Sequence, residues 1–286
     1  MDKAELLKLK KGSAAIRCET LKMLKWRRYG HLGGAMSIVE LLSVLYNKHL
    51  RYNPANPKWE GRDYVVLSKG HAGPSLYATL ALHGFFDKEL LYTLNEGGTK
   101  LPSHPDRLKT PGIDATTGSL GQGTSVAAGL GYSLHLEKKH QQVYLIVGDG
   151  ELNEGQCWET FQFIASYNLN EIIVIIDNNK GQLDGKLEDI IRPFDIARKM
   201  EAFGFKVIKA DGTEEESLSE AIDQAKTVTG SAVCIVMDTF KGQGVPYYYD
   251  RPDNHSPKFD EESDAIIDEV ISKLDAFIAD GGECDV

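Results

Sequence analysis

Residues 143–147, 172–176 and 233–237 are apolar at every position rather than at alternate ones. Continuous apolar runs of this length suit strands covered on both faces, as in a parallel sheet held between helices. Asp63-Tyr64-Val65-Val66-Leu67 reads as a shorter buried strand, and Phe205-Lys206-Val207-Ile208 as a further one. Between these runs the period changes to that of a helix. Residues 2–29 have helical character, and a second apolar helix carries Ile38, Leu41, Leu42 and Leu45. Near the C-terminus Ile267, Val270, Ile271, Leu274 and Phe277 recur at helical spacing behind an acidic first turn. Ala127, Ala128, Gly129 and Gly131 mark a helix of small residues suited to close packing against another backbone. Residues 95–123 are rich in Gly, Pro and Thr without a period, which is more often a functional loop than a plain connection. No internal repeat and no linker interrupts the pattern. The expected fold is α/β, one doubly wound domain over residues 1–286 with a mostly parallel sheet and helices on both faces.

Composition narrows the partners. A formal net charge of −10 argues against nucleic acid, whose phosphates need a basic face. It leaves room for a phosphorylated small ligand, which a helix N-terminus or a metal ion can hold inside an acidic protein. Cys18, Cys157, Cys234 and Cys284 form no C-x-x-C pair and are too few for a disulfide scaffold. The charged start Met1-Asp2-Lys3-Ala4-Glu5 lacks the apolar core of a signal peptide. No apolar run reaches membrane-spanning length. A cytoplasmic protein is expected.

The sharpest chemical feature is Tyr144-Leu145-Ile146-Val147-Gly148-Asp149-Gly150. A buried strand delivers a carboxylate between two glycines at its C-terminal end, where open α/β sheets bind ligands. The next strand ends likewise in Asp177-Asn178-Asn179. The interval between Gly150 and Asn178 suffices for one crossover helix and a return strand, so the two strand ends can lie side by side. Asp149 and an amide oxygen from Asn178 or Asn179 would then face one point. With a backbone carbonyl they suit Mg²⁺, which completes its octahedron with phosphate oxygens or water. A dinucleotide fold is disfavoured, because Asn153 stands where a third glycine is required.

Gly-Asp-Gly followed at this interval by Asn-Asn resembles the thiamine-diphosphate motif, and the surrounding sequence resembles transketolase over nearly the whole chain. Carrying the resemblance, in order, are Gly30-His31-Leu32-Gly33-Gly34, Ser68-Lys69-Gly70-His71-Ala72 and Ser103-His104-Pro105. Then come Thr116-Thr117-Gly118-Ser119-Leu120-Gly121-Gln122-Gly123, residues 148–155, residues 177–185 and a late His255. The resemblance implies that Asp149, Asn179 and the Gly181 carbonyl ligate Mg²⁺, with Ca²⁺ or Mn²⁺ as substitutes. It implies that Gly148 and Gly150 lie at the diphosphate, and that Gly118 and Leu120 touch the aminopyrimidine side. His71 and His255 are implied at the diphosphate or the reacting centre, and His31 and His104 along the sugar channel. Glu154, on the cofactor side, and Glu159 resemble acidic residues that join two halves at a subunit interface. The implied activity is transfer of a two-carbon ketol unit from a ketose phosphate to an aldose, with pentose phosphates as the default sugars. The resemblance implies that the pyrimidine-binding domain, which follows in full-length transketolases, is absent from this chain. The resemblance therefore implies a split enzyme with a separate C-terminal subunit, assembled as an α2β2 heterotetramer. Another thiamine-diphosphate enzyme, similar to 1-deoxyxylulose-5-phosphate synthase or a dehydrogenase component, and a non-catalytic homologue are the alternatives. Ser119 stands where single-chain transketolases commonly carry proline, and Ser256 follows His255 where glycine is usual.

Other features carry blander readings. His49, His83, His135 and His140 sit in helical or turn contexts and are assigned no role, whereas His31, His71 and His104 lie beside glycine or proline in loops. Lys25-Trp26-Arg27-Arg28 reads as a solvated face or interface contact, Glu214-Glu215-Glu216 as a helix start, and Cys157 as a packed core residue.

Overall fold

A computed structural model describes residues 1–281, so Cys284 lies outside the described residues. The apolar runs form β1 (Tyr64–Leu67), β2 (Val143–Gly148), β3 (Ile172–Asn178), β4 (Lys206–Asp211) and β5 (Val233–Asp238). They pair throughout in parallel, in the order β1-β2-β3-β5-β4. The central strands β2, β3 and β5 are those with the longest apolar runs. At the edge, β4 alternates buried Ile208 and Ala210 with exposed Lys206, Lys209 and Asp211.

The helices are α1 (Lys3–Arg27), α2 (Val39–Val44), α3 (Gly73–Leu82), α4 (Gln122–Leu136), α5 (Gly155–Ser166), α6 (Ile196–Ala202), α7 (Glu215–Thr227) and α8 (Glu261–Asp280). Two apolar cores follow from strand alternation. Tyr144, Ile146, Ile173, Ile175 and Ile235 pack beneath α1, α2, α3, α7 and α8. Val143, Leu145, Val147, Val174 and Ile176 pack beneath α4, α5 and α6. The small residues of α4 serve this contact, since a Cβ on Gly131 would lie 2.3 Å from Cγ1 of Ile172. Gly129 instead faces outward.

The single second helix expected from the pattern is interrupted. A short turn, Gly33–Met36, precedes α2, and a π-helical turn, Leu45–His49, follows it. The first break frees Ser37, whose hydroxyl reaches Asp177 at the end of β3 (2.7 Å). The basic cluster at the C-terminal end of α1 is paired within the chain: Lys25 meets Asp268, and Arg28 meets Asp264 at 2.5 Å, both on α8. Glu214 precedes the first residue of α7, as expected. Cys18, Cys157 and Cys234 are free and buried. Among the described residues no helix is long and apolar enough to cross a membrane.

Candidate active site

All five strands point the same way, so their C-terminal ends gather one set of loops. A cavity of about 220 Å³ lies there, lined by Asp149, Asn179 and Gly181 from the ends of β2 and β3. His31, His71, His104 and His255 line it too, as do Gly118 and Leu120. The loops are pinned by hydrogen bonds that span long stretches of sequence. Gly33 N–H donates to the Asn254 carbonyl (2.9 Å), and Gly242 N–H donates to the Gly33 carbonyl (3.0 Å). These bonds carry His255 and Lys241 to His31. Thr117 Oγ1 donates to the Leu67 carbonyl (2.7 Å), which fixes the 103–121 loop on the end of β1.

The four histidines form one cluster with His31 at its hub. Its ring centroid lies 5.8 Å from His71, 5.4 Å from His104 and 5.2 Å from His255, and His71 lies 4.9 Å from His255. Burial pushes His31 down to about 4, helped by His104. Burial, then Lys241, His31, Lys69 and His104, push His255 down to about 4. His71 lies well below its ordinary value through burial and then Lys69, and His104 is also lowered by burial. Four neutral imidazoles therefore face the cavity at pH 7, able to donate at one ring nitrogen and accept at the other.

Asp149 is buried, and burial followed by the charge of Asp177 raises it to about 7. Its oxygens accept from Gly150 N–H (2.8 Å) and Lys180 N–H (2.5 Å). A buried carboxylate beside a second one is relieved by a cation. The Asn179 amide oxygen accepts from Gly181 N–H (3.1 Å) on the same wall. Glycine keeps that wall open: a Cβ on Gly150 would lie 3.0 Å from Cβ of Gln182, and one on Gly181 would lie 2.8 Å from Cδ of Lys241. Gly118, at φ +144°, would bring a Cβ within 3.0 Å of the His104 ring. Carboxylate, amide oxygen and carbonyl are hard ligands that suit Mg²⁺ with phosphate, so this wall fits a metal-bound diphosphate. No group of three or more His, Cys, Asp or Glu among the described residues could hold a metal alone.

Three buried charged residues at the site stand outside the sequence-based assignment. Lys241 lines the cavity, donates to the Gln182 carbonyl (2.5 Å), and is lowered to about 8, chiefly by burial. Lys69 pairs with Asp177 and donates to the Gly34 carbonyl (2.8 Å). Glu151 accepts from Ser68 Oγ (2.5 Å), Gly121 N–H (2.8 Å) and Gly148 N–H (3.2 Å), so it ties together three loops of the floor. Lys69 and Glu151 lie within the quoted motifs, and Lys241 opens the glycine-rich Lys241-Gly242-Gln243-Gly244, so each had a local signal. Glu154 and Glu159 are exposed, and neither lines the cavity. Cys157 is buried against the Glu151 carbonyl (3.4 Å), as expected of a core cysteine.

Residues 10–270 match the family described as "Transketolase, thiamine diphosphate binding domain". The chain belongs to the transketolase family. This transketolase chain is 43% identical over 247 residues to the 6-deoxy-6-sulfo-D-fructose transketolase subunit SqwG of Clostridium sp. (strain MSTE9), covering 86% of this chain and 90% of that one. It is 36% identical over 234 residues to an apulose-4-phosphate transketolase subunit of Actinobacillus succinogenes, covering 81% and 84%. Against the crystal structure of transketolase from Campylobacter jejuni the TM-score is 0.86 at 28% identity, covering 95% of this chain and 43% of that one. The transketolase chain thus spans less than half of the single-chain enzymes it matches, and most of the two subunits. Its sheet and flanking helices are those of the transketolase N-terminal domain, and its class of chemistry is ketol transfer.

Proposed function

We propose that this chain is the thiamine-diphosphate-binding subunit of a two-subunit transketolase, moving a two-carbon ketol unit from an anionic ketose to an aldose. The observation that carries this reading is the cluster of four imidazoles lining one cavity with the Asp149–Asn179 wall. When bound, thiamine diphosphate supplies the nucleophilic carbon and the electron sink for breaking a carbon–carbon bond. Asp149, Asn179 and the Gly181 carbonyl would hold a divalent cation, Mg²⁺ by ligand type, for a diphosphate. Lys241 adds a positive charge on the same side. The imidazoles of His31, His71, His104 and His255 hydrogen-bond sugar hydroxyls and hand protons to and from the ketose carbonyl oxygen. Gly118 and Leu120 meet the aminopyrimidine side, and the enclosing loops keep water from the reacting carbon.

A separate chain carrying the pyrimidine-binding domain completes the site, in an α2β2 assembly. The reading is tested by ketol transfer with Mg²⁺ and thiamine diphosphate, using this chain alone and with that partner. Xylulose 5-phosphate, 6-deoxy-6-sulfo-D-fructose and apulose 4-phosphate serve as donors, the last two because the subunit-length relatives carry those names. Transfer in the mixture only is the expected result. Absence of cofactor binding in the mixture would overturn it. In the same mixture, Lys241→Met is expected to weaken thiamine diphosphate binding about 10- to 100-fold by calorimetry, the range of a hydrogen bond to a charged group.

A further inference from the structure

Asp177 is fully buried at the end of β3, one residue from the last strand position and two before Asn179. Its carboxylate is surrounded by donors from four segments. One oxygen accepts from Lys69 Nζ, Ser37 Oγ (2.7 Å) and the Asn179 side-chain amide Nδ2 (2.8 Å). The other accepts from Thr239 Oγ1. The two ends of an asparagine side chain are nearly equal in size but opposite in hydrogen-bonding sense. Only the oxygen end ligates a hard cation. A carboxylate paired with lysine offers acceptors and no donor, so it admits the NH₂ end of Asn179 and turns the oxygen end away, towards Gly181 and the cavity.

We propose that Asp177, held by Lys69, Ser37 and Thr239, is a positioning residue that fixes the Asn179 amide with its oxygen presented to the metal. This rests on the metal reading of the Asp149–Asn179 wall. Lys69 has two parts in the arrangement: it offsets part of the Asp177 charge that Asp149 feels, and it anchors the 34–37 turn through the Gly34 carbonyl. The chain thereby presents a neutral amide, rather than a second carboxylate, to the cavity that Asp149 also lines.

The test is Mn²⁺ binding to the full chain with thiamine diphosphate, followed by electron paramagnetic resonance, with thermal unfolding of the metal-free chain measured alongside. Asp177→Asn is expected to weaken Mn²⁺ binding roughly 10- to 100-fold, as for residues that orient metal ligands. Asp177→Asn/Asn179→Asp, which exchanges the two groups and restores one amide-to-carboxylate bond at unchanged charge, is expected to recover binding to within about threefold of wild type, well inside that range. A purely structural role predicts no such recovery. Asn179→Ala is the control. If that control leaves Mn²⁺ binding unchanged, the metal reading fails. If Asn179→Ala loses binding while Asp177→Asn does not, the positioning inference alone is overturned. A folded exchange variant that binds no better than Asp177→Asn also overturns it. Should neither Asp177 variant fold, hydrogen exchange of the Asn179 side-chain NH₂ in the wild-type, metal-free chain decides. Its signal is assigned by its loss in Asn179→Ala. Protection supports the bond to Asp177, and free exchange overturns it.

Discussion

Asp149→Asn is expected to abolish measurable ketol transfer and, in the same protein, to raise the stability of the metal-free chain at pH 8. The two effects share a cause. The carboxylate is buried beside Asp177, and its folded-state value of about 7 stands above the ordinary 3.8. A carboxyl group raised in the fold binds its proton more tightly there than in the unfolded chain. Its penalty is absent below about 3.8, grows as pH rises towards about 7, and is constant above that. The difference corresponds to a destabilisation on the order of 4 kcal/mol at most in the metal-free chain. An isosteric amide removes the buried charge and still offers an oxygen to the Lys180 N–H. Thermal unfolding of the two metal-free chains therefore favours the variant at pH 8, and the advantage vanishes near pH 4. Titrations common to both chains cancel in that comparison. Activity falls by more than the roughly 10- to 100-fold typical of residues that merely support a metal ligand, because the anionic member of the proposed ligand set is gone. A variant less stable than wild type at pH 8 would mean that the backbone donors alone satisfy the carboxylate, and the cation site would lose its main support.

Much of this is legible along the chain because the relevant signals are local. Runs such as Ile172-Ile173-Val174-Ile175-Ile176 have no polar side, so a parallel strand between two helical layers is the simplest account, and both layers are found. Asp149 stands out because a charged residue between two glycines ends such a run. His31, His71 and His104 stand out because they sit beside glycine or proline. His255 is the hardest of the four to place, because a backbone bond from Gly33 to Asn254, far apart in sequence, brings it into the cluster. The broken second helix is hidden for a related reason. Its apolar residues resume directly after Ser37, and the partners of that hydroxyl include Lys69 and Asp177, far away in sequence. The motifs around Lys69 and Lys241 mark their neighbourhoods but not their burial, since a lysine in sequence looks solvated. That burial depends on partners 32 to 108 residues away in the case of Lys69. Pairings of that kind are properties of the closed loop set, and no local pattern reports them.

The same closure governs the second large effect, the response to pH of the histidine cluster. In the wild-type assembly at saturating Mg²⁺ and thiamine diphosphate, which would hold Asp149 and Lys241 in their charged forms, ketol transfer is expected to show no histidine inflection at the ordinary imidazole value near 6.5 as pH falls towards 5. Burial and the positive groups that face the rings, Lys69 and Lys241, keep them neutral, with His31 and His255 down at about 4. The same depression makes the fold lose stability as pH drops from about 6.5 through about 4, since the unfolded chain then binds protons that the folded one refuses. His31→Asn removes the hub of the cluster. It is expected to lower kcat/KM about 100-fold, the lower end of what a positioned proton-transfer group contributes. It also relieves His71 and His255, both of which His31 helps to depress. The acid inflection of the variant therefore moves up in pH, towards 6.5. A pH–rate profile of both proteins, with the imidazole resonances of the metal-free chains titrated alongside, checks the two effects separately. An upward shift without loss of rate would make His31 an electrostatic neighbour rather than a participant. A wild-type inflection already at 6.5 would mean that water reaches the rings, and that the 30–34, 103–118 and 240–255 loops do not enclose a dry channel.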